Sequence, residues 1–156
     1  RFSQPLRDIL GRMNLPEDRE HMAKLSLHLR QAFGEDIFSK VIMAEANKGT
    51  AHLVVVDGVR RLPDILHLES EEHFYFVYVE ASSETRYARL TKRRQNTDDA
   101  TKTPVQFEKD AQLETERQIR DLKSRADFVV NNDGSLEELQ KQLDGIVAQI
   151  PKDNGI

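Results

Sequence analysis

Two arginine clusters are the residues here whose type and spacing best suit chemistry. Arg60 and Arg61 stand side by side in "HLVVVDGVRRLPDI", residues 52–65, just after Asp57 and Gly58. Arg86, Arg89, Arg93 and Arg94 lie within "ETRYARLTKRR", residues 84–94. A guanidinium is a planar fork that gives bidentate, charge-assisted hydrogen bonds, so both clusters point to a phosphate-like anion. Spacings of three and four put Arg86, Arg89 and Arg93 on one helical face. That face reads equally well as solvated surface with Glu84 as counter-ion. The pair at 60–61 favours a functional reading. Val54, Val55 and Val56 read as a buried strand, and two guanidinium groups and a carboxylate at its end need a partner, either the protein itself or a ligand. Gly58 lets a ligand approach the backbone. Asp57 could hold Mg²⁺ through water, hydrogen-bond a substrate, or cap the next turn.

Other chemistries find less support. There is no cysteine, so disulfides and thiol catalysis are excluded and nothing points to secretion. His21, His28, His52, His67 and His73 form no H-x-H or H-E-x-x-H pair, which makes a zinc site improbable. No G-x-S-x-G nucleophile elbow is present. Asp98 and Asp99 read as loop solvation more readily than as lid residues. Asp110, Glu114 and Glu116 read as surface charge. The formal net charge is -4 with both signs mixed, which argues against nonspecific nucleic-acid binding. Aromatic residues make up 6% with no tryptophan, a poor base-stacking platform. No apolar run approaches the roughly 18 residues that span a membrane, and no signal peptide is visible. A cytoplasmic protein is expected.

Positioning these groups requires a scaffold. The 156 residues suit one α/β domain, and 38% hydrophobic against 32% charged content fits a normal core beneath a heavily solvated surface. Ser3 reads as an N-cap, with Pro5 in the first turn and Leu6, Ile9, Leu10 and Met13 at helical spacing. A second helix carries Met22, Leu25, Leu29, Ala32 and Phe33 and stops at Gly34. A third spans Asp36 to Asn47, burying Ile37, Val41 and Ala44. Strands are expected at 52–56, 74–79 and 127–130. "FYFVYVEA" is apolar on both faces, as in parallel sheets. Ser82 or Ser83 caps the arginine-bearing helix. "QNTDDATKT" reads as a mobile loop, with 95–103 its least anchored part. Thr103-Pro104-Val105-Gln106 is a capping box opening a long charged helix to about Lys123, and "SLEE" is a second box opening the last helix. The alternation implies right-handed parallel βαβ units in a three-layer sheet with helices on both faces. Ligands then sit at the carboxyl ends of strands, where Asp57 to Arg61 fall.

Several of these segments together resemble the P-loop nucleoside and nucleotide monophosphate kinases. "VVVDGVRRLPDI" resembles their strand followed by D-G-x-x-R. "RLTKRR" is similar to the R-L-x-x-R entry to their lid, which would here span about 90–120. "ADFVVNNDGSLEEL" is similar to the last strand and adenine-side loop of adenylate kinase-like and dephospho-CoA kinase-like proteins. "RFSQPLRDIL" resembles the F-A-D-P-L-K helix of phage-type deoxynucleoside monophosphate kinases. The similarity covers nearly the whole chain. It implies ATP-dependent phosphoryl transfer to a nucleotide or nucleotide-like acceptor such as a nucleoside monophosphate, a deoxynucleotide or dephospho-CoA, with ATP and Mg²⁺ as cofactors. On that reading Arg7, Gly58, Arg60 and Arg61 bind acceptor phosphate, and Arg89, Arg93 and Arg94 neutralise the transferred group. Asp57 assists Mg²⁺ or the acceptor, and Asn131, Asn132 and Gly134 form the loop near adenine.

One family element is missing from these residues. No G-x-x-x-x-G-K-[ST] loop occurs, and its backbone N–H groups and lysine would cradle the ATP phosphates. In the resembling kinases it lies immediately before a segment like "RFSQPL". The expectation is a strand–P-loop–helix unit upstream of Arg1, its strand running between 52–56 and 74–81. Without that strand the open mid-sheet edges would be covered by a second copy, in a homodimer, or by a rearranged element. The alternative is a non-catalytic nucleotide-binding or regulatory protein on a degenerate kinase scaffold. A third reading is an interaction domain whose arginines pair with its own acids.

Overall fold

The computed structural model describes residues 1–49, 51–93, 102–111 and 114–151. They fall into two compact units, Arg1–Phe74 and Tyr75–Ile156.

The first unit is helical. Helix α1 spans Gln4–Arg12, α2 Arg19–Phe33 and α3 Ile37–Ala46, followed by short 3-10 turns at Leu62–Asp64 and Leu68–Ser70. Leu6 and Leu10, four apart on α1, are buried, and Phe2, Leu6, Phe38, Ile42 and Leu68 form one cluster. Phe2 and Phe38 stack at a tilt, 6.3 Å between ring centroids. Some expected faces are turned. On α3 the buried residues are Phe38, Ser39 and Ile42 rather than Ile37, Val41 and Ala44. Phe38 and Ile42 sit four apart and take the inward stripe, with Ile37 partly buried at its edge. On α2 the residue turned inward at the C-terminal end is Arg30, while Phe33 is 63% exposed. Ser3 makes no side-chain cap, whereas Asp18 accepts from the His21 backbone N–H at 2.9 Å and caps α2. Gly34, at φ 102, ends α2 as expected.

The predicted valine strand is corrected. Residues 52–56 form no strand, and Val55 is 78% exposed. A strand exists only where a neighbour takes up its backbone N–H and C=O groups, and no described residue pairs with this run. Its last residue, Val56, packs against the cluster of the first unit.

The second unit holds the sheet. Strands β1, Val77–Glu80, and β2, Phe128–Asn131, run parallel, with Val77 opposite Phe128 and Glu80 opposite Asn131. Between them lie α4 (Ser83–Arg93), α5 (Pro104–Ala111) and α6 (Glu114–Asp121), and α7 (Leu136–Gln149) follows β2. The chain is therefore α/β, with the expected helical crossover joining two parallel strands. The pair is not buried on both faces, since Val79 and Val129 are 55% and 45% exposed while Val130 and Leu122 are fully enclosed. Both capping boxes form. Thr103 and Gln106 exchange hydrogen bonds of 2.9 and 3.3 Å, and Ser135 and Glu138 do so at 2.8 and 3.2 Å. Most of the mobile-loop segment, 94–101, lies outside the described residues.

Candidate functional site

The loop from Asp57 to Asp64 is built from its backbone outward. The Phe2 N–H donates to the Asp57 carbonyl at 2.8 Å, tying the start of α1 to the end of the valine run. Gly58 follows at φ 93, in the left-handed region where any other residue would be strained, and an added Cβ would lie 3.5 Å from the Phe2 Cβ. The chain then enters the 3-10 turn Leu62–Asp64, with Pro63 supplying its fixed φ.

Asp64 closes the turn. Its Oδ2 accepts from the backbone N–H groups of both Arg60 and Arg61, each at 3.1 Å, and its Oδ1 takes the Arg30 guanidinium at 2.6 Å. Asp64 is 2% exposed and Arg30 6%. The Arg30 guanidinium also donates to the Ser26 Oγ and the Glu35 carbonyl and lies 4.8 Å above the Phe38 ring centroid. A buried charge is tolerable only when paired and hydrogen-bonded, and this pair meets both conditions.

The fixed backbone sends the two site arginines to different places. Arg60 is exposed, and its guanidinium has no partner among the described residues. Arg61 lies 3.5 Å from the Glu35 carboxylate. Asp57 is exposed and sits 3.7 Å from Arg1. Arg7 donates to Glu17 at 3.2 Å. So Asp57, Gly58, Arg60 and Arg61 share one loop, and Arg60 alone among Arg7, Arg60 and Arg61 is unengaged. The residues that fix the loop, Arg30, Asp64 and Glu35, were not expected from the sequence. The only sequence signal at Asp64 is its place after Pro63 in the turn, which marks a position where a carboxylate can accept from nearby backbone N–H groups.

A second carboxylate cluster braces the same unit. Asp36 accepts from His67 at 2.7 Å and pairs with Lys40 at 3.0 Å, which hold its carboxyl down to about 2, His67 contributing most. A group depressed in the folded state stabilises fully above its unfolded value near 3.8 and loses that contribution as pH falls through about 2. Acid unfolding followed by circular dichroism should therefore steepen between pH 4 and 2, and Asp36→Asn should flatten that limb. An unchanged acid limb would show that the cluster does not couple to folding.

In the second unit, the structure joins two predicted sites. Arg89 on α4 donates to the Asn132 carbonyl at 2.5 Å and the Gly134 carbonyl at 3.3 Å. The guanidinium expected at a transferred phosphoryl group instead holds the loop after β2. Such a loop offers two backbone acceptors, which match the fork as phosphate oxygens would. Asp133 braces the same loop, accepting from the Ser82 N–H and hydroxyl, both at 2.8 Å, and its carboxyl is held below the usual range chiefly by the Thr85 hydroxyl and by Ser82. Asn131 is occupied by Asp133 and Gln142. At Gly134 an added Cβ would lie 2.0 Å from the Glu138 carboxylate, so that side chain would have to shift out of the capping box. The Asn132 carboxamide has no partner among the described residues. Arg86 lies over the Phe107 ring, 5.6 Å from its centroid. The Arg93 side chain lies outside the described residues, as do Arg94, Asp98, Asp99 and the side chains of Asp110, Glu114 and Glu116.

As to cofactors, among the described residues no three His, Asp or Glu side chains cluster as a metal site would. Asp57 fits Mg²⁺ only as a single carboxylate, the arrangement in which substrate phosphates complete the shell.

No family model matches the chain. It is 31% identical over 137 residues to a UPF0200 protein of Thermococcus gammatolerans, covering 85% of the chain and 71% of that relative. A UPF0200 protein of Thermococcus kodakarensis is 30% identical over 138 residues, with 85% and 73% covered. The chain belongs to the UPF0200 family. A third UPF0200 protein, from Methanocaldococcus jannaschii, is 29% identical over 133 residues, 84% of this chain and 66% of that relative. This UPF0200 chain thus spans about two thirds of the length of the curated relatives it matches. In the described residues of the UPF0200 chain no helix is long and apolar enough to cross a membrane.

Proposed function

We propose that this UPF0200 chain carries the acceptor-side and lid portion of an ATP-dependent phosphotransferase whose acceptor is a nucleotide or nucleotide-like molecule, on a three-layer P-loop kinase-like scaffold in the cytoplasm. One observation carries the reading: a loop clamped at its backbone by a buried carboxylate presents the Arg60 guanidinium, which has no partner among the described residues. Arg60 binds the acceptor phosphate, Arg61 joins it by exchanging Glu35 for the ligand, and Gly58 keeps the approach open. Asp57 orients a water on Mg²⁺ or a hydroxyl of the acceptor. Arg7 is a second-rank acceptor contact, since Glu17 already holds it. Arg93 and Arg94 screen the transferred group, and Arg89 instead holds the loop of Asn131, Asn132 and Gly134. The Asn132 carboxamide, with one donor and one acceptor face, suits a base edge. Bound ATP supplies the phosphoryl group. Its phosphates find no P-loop within these residues, so the chain's own part is to bind, orient and screen charge.

A specific observation favours the second reading, a non-catalytic nucleotide-binding or regulatory protein: Arg89 is spent on two backbone carbonyls. Both readings meet one test. The full-length protein is given ATP, Mg²⁺ and, in turn, nucleoside monophosphates, deoxynucleotides and dephospho-CoA, and ADP release is measured. ADP formation that depends on one acceptor is expected. Nucleotide binding without turnover would replace the kinase reading with the regulatory one, and neither binding nor turnover would overturn both.

A further inference from the structure

We infer that Asp64, backed by Arg30, is the positioning residue of an anion site whose ligand is held by the side chains of Arg60 and Arg61 and not by their backbone N–H groups. The inference rests on the phosphate-binding reading of the 57–61 loop. Glycine-containing loops commonly grip phosphate with successive backbone N–H groups turned outward. Here the N–H groups of Arg60 and Arg61 are turned inward and consumed by Asp64 Oδ2. What Arg60 and Arg61 still offer a ligand is guanidinium chemistry: the Arg60 fork, which has no partner among the described residues, and the Arg61 fork, shared with Glu35.

Two consequences follow for specificity. The ligand must offer paired oxygens in a plane, as a terminal phosphate does, so lysine cannot replace Arg60. The forks must also be placed in advance, because two freely rotating arginines would lose side-chain entropy on binding. Asp64 fixes the backbone beneath both, and it stays in place because Arg30 neutralises it where only 2% of its surface meets solvent.

The test uses the full-length protein and inorganic phosphate as the probe, followed by amide NMR shifts of residues 58–64. In the unsubstituted protein phosphate should move the Gly58 and Arg60 signals, and Arg60→Ala and Arg60→Lys should each weaken binding about tenfold. Asp64→Asn keeps one acceptor oxygen but loses the charge. It should release the Arg60 and Arg61 amide shifts and weaken phosphate binding several-fold with the remaining spectrum preserved. If Asp64→Asn does not fold, Arg30→Lys keeps the charge and loosens the pair, and should weaken phosphate several-fold. Unchanged phosphate affinity in whichever of these two folds would overturn the positioning role. An Arg60→Ala protein that binds phosphate as before would instead overturn the phosphate-site reading itself. Arg60→Lys binding like the parent would show point-charge recognition and refute the forked geometry.

Discussion

Replacing Arg60 by alanine should weaken acceptor binding or turnover by about tenfold or more and leave the melting temperature nearly unchanged. A hydrogen bond to a charged group contributes about 1.5–3 kcal/mol, and about 1.4 kcal/mol is a factor of ten. The stability side of the prediction comes from the geometry. The Arg60 guanidinium is exposed and engages no described residue, while its backbone N–H, which Asp64 needs, survives the substitution. Arg61→Ala should differ in kind. Its guanidinium sits half-exposed beside Glu35, so part of its binding contribution is already offset by an internal partner, and the exposed pair adds about 0–1 kcal/mol to stability. Rising salt should weaken the parent protein's affinity and leave the Arg60→Ala protein less sensitive. Titration calorimetry with the acceptor, alongside thermal melts, reads both. Two alanine variants that lose stability while binding is unchanged would make the 57–61 loop structural, in line with the interaction-domain reading.

The parts legible in sequence are those governed by local rules. The capping boxes at Thr103 and Ser135, the stop at Gly34 and the parallel pairing of β1 with β2 each follow from short-range residue chemistry or from strand–helix alternation. The valine run shows the opposite case. Its pattern is that of a strand, yet strand formation is a property of two segments, and no described residue pairs with it. The site divides the same way. Arginine type and the Asp-Gly turn marked the 57–61 loop. Arg30 did not stand out, because a charge within an amphipathic helix is usually on the wet face, and only the fold shows that a carboxylate 34 residues away waits for it. Arg89 was expected at the transferred phosphoryl group, and the structure places its fork on two backbone carbonyls. That those acceptors are the carbonyls of Asn132 and Gly134 depends on how α4 lies across the turn after β2, which spacing cannot encode.

The largest stability effect should come from the pair that the arginine pattern did not advertise. Arg30→Ala leaves the Asp64 carboxyl buried without its counter-charge, and Asp64→Ala leaves Arg30 without its own, with two inward-facing N–H groups besides. Removing one partner of a buried ion pair costs about 3–5 kcal/mol, comparable to deleting a core leucine at about 2–5 kcal/mol. Asp64→Ala should be the worse of the two, because each unsatisfied buried N–H adds about 1–3 kcal/mol. Neutralising both ends separates charge from packing. Arg30→Met keeps a flexible apolar stem against Phe38, and Asp64→Asn keeps an acceptor oxygen for the two backbone N–H groups that one Asp64 oxygen now takes. The double variant should therefore be more stable than Arg30→Met alone, since no bare charge remains inside. Native-state hydrogen exchange on the α2 and α3 amides reads the first unit by itself. Single substitutions costing under about 1 kcal/mol, adding without coupling, would match an exposed pair instead. The loop beneath Arg60 would then be held by something other than this carboxylate.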